Sequence, residues 1–148
     1  MKHTLNNLID YLQTFAVSHK QINSFEFGEE FDLEAESAKN APLMWANVVD
    51  TTVDNSLVNT KFTLMFIDLV HADKSNENEV LSDQLLIAQD CIAYFSNISW
   101  ANLNLFIDKN ITLSVVKDEN VNSWTGWTFE LNFKQEFYSD YCQIPLIS

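Results

Sequence analysis

The chain has 148 residues with 8 Lys+Arg against 21 Asp+Glu, a formal net charge of −13 at pH 7. All the basic residues are lysines, spread singly along the chain and without one arginine, which excludes a surface built to grip nucleic-acid phosphates or anionic lipid. An apolar content of 47%, with two Gly and two Pro, excludes a disordered chain, and a longest apolar run of only Cys91 to Phe95 excludes a bilayer-spanning helix of roughly 20 residues.

The first predicted element is a helix. Leu5, Leu8, Leu12 and Phe15 fall on one stripe, Thr4 suits the N-cap, and Lys20 suits the negative pole at the far end. Phe25-Glu26-Phe27 and Phe31 to Glu36 both alternate apolar with acidic residues, the period of a half-buried strand, with Gly28 as a turn or bulge between them. After Pro42, Leu43 to Val49 reads as a strand apolar on both faces, and Asp54-Asn55-Ser56 supplies a turn. Thr60 to Val70 puts Phe62, Leu64 and Phe66 on one face and Thr63, Met65, Ile67 and Leu69 on the other. Such a strand has to be covered twice, by helices or by a neighbouring subunit.

Residues 71–79 read as a polar loop. Asn76 with Glu79 forms a variant capping box, Asp83 adds charge near the positive pole, and Leu81, Leu85, Ala88, Ile92 and Phe95 make the buried stripe of a second helix. Leu103 to Ile107 and Ile111 to Val116 follow as strands. In the last strand Trp127, Phe129, Leu131 and Phe133 face one way and Thr128, Glu130, Asn132 and Lys134 the other. This order predicts a single α+β domain over 1–148, two helices packed on a mostly antiparallel sheet. The polar interruptions at Asn6, Asn7 and Asp10 leave no secretory apolar stretch, so the expected setting is soluble and intracellular.

Motifs for chemistry are sparse. No G-x-S-x-G occurs, and two glycines cannot build a phosphate-cradling loop or a dinucleotide fingerprint. His3, His19 and His71 are far apart, and Cys91 and Cys142 form no C-x-x-C, so no catalytic residue, cofactor or metal ligand is expected and the thiols read as apolar-like. Glu29, Glu30, Asp32, Glu34 and Glu36 make either a solvated strand face or a wall that keeps DNA from sticking. Trp124 stands three before Trp127 and so points away from it. Together with Trp45 and Trp100 it is a candidate for a subunit interface, where Trp is enriched.

Trp124-Thr125-Gly126-Trp127-Thr128-Phe129-Glu130-Leu131, followed after a spacer by Tyr141-Cys142-Gln143-Ile144-Pro145, resembles the ending of small virion proteins of tailed bacteriophages. In these a "GW" opens a long strand and a "C-x-I-P" closes the chain. The helix from Val80 to Ala88 and the Ile111-Thr112-Leu113 strand resemble the same set, so the likeness covers about residues 60–148. It points to neck and tail ring proteins, notably of crAss-like phages of Bacteroidetes hosts, with a fold similar to tail terminators and head–tail joining proteins.

The resemblance implies a non-enzymatic virion component, made in the host cytoplasm and built into the neck or tail. It would be a homo-oligomeric ring of roughly six or twelve copies, touching other neck and tail proteins and passing DNA without gripping it. Glu30, Asp32, Glu34 and Glu36 would then face the lumen or the outer solvent. The alternative is an acidic DNA mimic that inhibits a host DNA-acting enzyme, but two-faced apolar strands and only 20% charged residues favour assembly.

Overall fold

Thr4 starts the first helix by a reciprocal cap. Its hydroxyl accepts the Asn7 N–H at 3.2 Å, while the Asn7 side-chain oxygen accepts the Thr4 N–H at 2.9 Å. Two of the four orphan donors of the helix start are thereby satisfied. The computed structural model describes residues 2–28, 41–54, 56–71, 73–118, 124–137, 142 and 144–147. In chain order these form α1 (Leu5–Ser18), β1 (Ser24–Phe27), β2 (Leu43–Val53), β3 (Leu57–Leu69), α2 (Glu77–Phe95), α3 (Ile98–Asn102), β4 (Phe106–Ile107), β5 (Ser114–Asp118) and β6 (Trp124–Glu136).

The strands make one sheet in the order β1-β2-β3-β6, with β4 and β5 both beside β6. Every pairing is antiparallel except β1 with β2. The fold is α+β, helices on a mostly antiparallel sheet. Its centre is the β3–β6 pair, which runs in register from Leu57↔Glu136 to Leu69↔Trp124. Along it Thr60, Phe62, Leu64 and Phe66 stand opposite Phe133, Leu131, Phe129 and Trp127, so both strands turn the same aromatic face to the helices.

That face is the main core. Leu8, Leu12, Phe15 and Ala16 of α1 and Ile87, Ala88, Cys91 and Phe95 of α2 close over Phe62, Leu64, Phe66, Phe129, Leu131 and Phe133. Phe15 meets Phe66 edge-on at 6.5 Å and Phe95 meets Phe133 at 5.1 Å. Emptying any one of these ring sites would cost about 3–5 kcal/mol. The indole N–H of Trp127 donates to the Leu81 carbonyl at 2.9 Å and ties β6 to α2.

His3 pins the start of α1 to the far end of the sheet. Its N–H donates to Gln135 Oε1 at 2.9 Å and its carbonyl accepts from Gln135 Nε2 at 2.8 Å. Its Nε2 lies 2.6 Å from the Leu103 carbonyl, which can only accept, and that makes Nε2 the protonated nitrogen and leaves Nδ1 facing the Tyr11 hydroxyl at 2.8 Å. Burial, with help from Asp10, raises the Tyr11 pKa, so this phenol stays protonated.

Several expectations shift. Asn76 is the N-cap of α2 but makes no side-chain cap; its amide instead accepts the His71 N–H at 2.7 Å and binds back the loop. The buried face of α2 is Val80, Gln84, Ile87, Ala88, Cys91 and Phe95, one residue round from the stripe read from leucines. Leu81, Leu85 and Ile92 are only half-buried flanks. Between Leu103 and Ile107 only Phe106–Ile107 is strand, and the preceding turn is the short α3 capped by Asn97. The strand expected at 111–116 begins at Ser114. The one expected at 31–36 lies outside the described residues.

Candidate functional site

The sheet face away from the helices has two parts. Near one end Leu43, Trp45, Met65, Ile67 and Trp124 form a second buried cluster, flanked by Leu69 and Val116. Beyond it the same face turns polar, through Thr63, Glu130, Asn132 and Lys61. Trp124 does point away from Trp127, as the spacing predicts. However, Trp45 is 5% exposed and Trp124 8%, so both indoles are spent inside the chain and leave little surface for a neighbour. The Trp124 Nε1 is buried without a partner among the described residues.

Trp100 is half-buried instead. It packs at a tilt against Tyr11 at 4.8 Å and Phe95 at 5.4 Å and donates its N–H to the Tyr94 carbonyl at 3.0 Å, which makes it a lid on the main core. The three interface candidates therefore do not converge on one patch. The acidic candidates Glu30, Asp32, Glu34 and Glu36 lie outside the described residues.

The described histidines stay apart. His19 caps the end of α1 and reaches Asp90 of α2 at 2.9 Å. Cys91 is buried, and burial pushes its thiol pKa far up, so it is not a nucleophile. Among the described residues no three His, Cys, Asp or Glu side chains come together to hold a metal ion. Among them, too, no helix is long and apolar enough to cross a membrane.

Three other surfaces stand out. The first is the outer edge of β2. β1 covers only Leu43–Ala46, and the Gly28 N–H adds one bond to the Ala46 carbonyl at 3.1 Å. From Asn47 to Val53 no strand lies outside β2 among the described residues, and Val49 (50% exposed) and Val53 (58%) stand on this edge. The register slips between Val48 and Asp50, so a bulge twists the edge at Val49. On the opposite side of the sheet, β5 presents Val115 exposed.

The second is a polar groove of about 520 Å³ on the open face, lined by Thr63, Thr112, Ser114, Thr128, Glu130 and Asn132 among others. Asn132 Oδ1 is buried there with no partner among the described residues.

The third is a cleft of about 380 Å³ between the α1–β1 connection and α2, lined by Lys20, Ile22, Pro42, Asp68, Asp83, Gln84 and Ile87 among others. Asp68 follows Phe66 on the helix side of β3, where the stripe would place another apolar group. Burial raises its pKa first and the Asp83 carboxylate adds to that, against the Leu69 N–H it accepts at 2.8 Å. This cleft leaves almost no trace in the sequence pattern. Asp83 is legible only as helix-start charge, and nothing in the pattern brings it to Asp68. The misplaced acid at the end of an apolar stripe is the available signal.

The chain matches no protein-family model and no curated protein.

Proposed function

We propose that the chain is a structural subunit that closes with copies of itself into a ring, of the neck or tail type its C-terminal pattern resembles, through which DNA passes without being held. The observation that carries this reading is the β2 edge from Asn47 to Val53, which no strand covers among the described residues, bearing exposed valines and placed on a sheet whose other side also offers a strand with an exposed valine, β5. An unpaired edge is a row of free N–H and C=O groups and pairs readily with another strand. Two different edges on one subunit make a head-to-tail contact, which closes into a ring when the rotation per subunit closes. The charge of −13 suits the passage of DNA, since each phosphate neutralised by a basic lumen would add to the grip.

Native mass spectrometry of the full chain, alone and with candidate neck partners, tests the reading. A closed species of roughly six or twelve copies is the expected result. A chain that stays monomeric at the highest soluble concentration and with those partners overturns it. Capture of a monomer by a basic DNA-acting enzyme would favour the DNA-mimic alternative instead.

A further inference from the structure

The cleft beside α2 holds two carboxylates that no ion pair among the described residues neutralises. The ion pairs formed among the described residues are His19–Asp90, Lys61–Glu130, Lys117–Glu77 and Lys134–Asp108; neither Asp68 nor Asp83 takes part. Lys20 lines the same cavity yet bridges neither of them. Independently, Gln84 is only 2% exposed and lines the cleft, no side-chain hydrogen bond of its amide is seen among the described residues, and it is not one of the polar groups sealed in the interior without a partner, so its amide opens on the cleft. It stands on the buried face of α2, where the helix would gain from an apolar residue, and so gives the cleft floor a polar group beside the two carboxylates.

We propose that this cleft receives the guanidinium of an arginine side chain presented by a partner protein. The acceptors are two carboxylates and one amide oxygen. They suit a group that carries five N–H donors in a planar fork and no acceptor. Ile22, Pro42 and Ile87 line the rest of the cavity and would pack along an aliphatic stem. A cavity of about 380 Å³ is far larger than a bare metal ion needs and falls within the size range of pockets for small organic groups. The chain contains no arginine at all, so the occupant cannot be a second copy of itself. This inference stands apart from the ring reading, because an isolated subunit carries the whole cleft.

The test is a titration of the full chain with N-acetyl-arginine methylamide, followed by NMR at the Ile22 and Ile87 methyl groups. The citrulline analogue, which is neutral, the lysine analogue, and Mg²⁺ or Ca²⁺ alone are run in parallel. Saturable shifts with the arginine probe are expected, weakened at least about tenfold in Asp68→Asn and in Asp83→Asn and absent with citrulline. Asp68→Asn keeps the oxygen that accepts the Leu69 N–H, so it should remain folded, and Gln84→Leu offers a second variant that fits the apolar neighbours. The proposal is overturned if the arginine probe gives no saturable shift, if citrulline or lysine binds equally well, or if the Asn variants respond like the parent. It is overturned too if a divalent ion alone saturates the same signals and excludes the arginine probe.

Discussion

Gly126 is the residue on which the central strand pair depends. It faces Ile67 across the β3–β6 ladder, and a Cβ built there would fall on the Phe66 carbonyl oxygen and within 2.8 Å of the Ile67 Cα. Those neighbours are backbone and cannot swing aside, so Gly126→Ala should destabilise the fold by about 3 kcal/mol or more, read as a lower urea midpoint. The "GW" of the C-terminal pattern thus has a physical reason in this chain: glycine for the close approach, tryptophan for the bond to α2. Asp68 presents the opposite case, a residue the fold holds at a cost. Its folded pKa is raised above the ordinary 3.8 by burial and by Asp83, so the native state binds that proton more tightly than the unfolded chain does. The stability tied to this group is therefore full below about 3.8 and is lost as pH rises through the higher folded value. Asp68→Asn should raise the urea midpoint at neutral pH and leave it nearly unchanged at about pH 3. A lower midpoint at neutral pH would show that the carboxylate stabilises the fold.

Among the elements, β2 carries the assembly reading. Its inner half is sealed between β1 and β3, and its outer half has no strand on one side among the described residues, so the two halves should answer substitution differently. Lysines at Val49 and Val53 would put charge on the exposed edge, a common protection of edge strands against pairing. Because both side chains already face solvent, Val49→Lys with Val53→Lys should leave the melting temperature within a few degrees and dissociate any assembled species, seen by sedimentation velocity. Persistence of the oligomer would move the interface elsewhere. The strands are the legible part of this architecture, since alternation along 60–70 and 127–134 assigns each side chain to a face whatever strand lies alongside. What escapes the sequence is non-local. The parallel pairing of β1 with β2 joins residues nearly twenty apart and leaves no periodic trace. The leucine pattern of α2 points about one residue away from its buried face, because an amide, Gln84, lies in that face while Leu86 is exposed. For the tryptophans, enrichment at interfaces is a statistical tendency that says nothing of the particular neighbours. The cluster of Leu43, Met65 and Ile67 that takes up Trp45 and Trp124 forms only when β2, β3 and β6 align.

At the scale of the whole molecule the charge decides how assembly responds to its surroundings. Each subunit carries −13, so bringing copies together concentrates like charge, and strand pairing has to overcome that repulsion. Salt shortens its range, with a Debye length near 10 Å at 0.1 M falling to about 3 Å at 1 M, whereas backbone hydrogen bonds and apolar contact at an edge are little affected. A ring held by β2 should therefore gain mass with added NaCl, with the fraction assembled rising in light scattering as salt goes from low to about 0.5 M. The DNA-mimic alternative predicts the reverse. An acidic protein on a basic enzyme is held by opposite charges, and the same salt would release it. The sign of the salt dependence thus separates the two readings whichever enzyme the mimic would bind. Loss of oligomer with rising salt would refute edge pairing between like-charged copies.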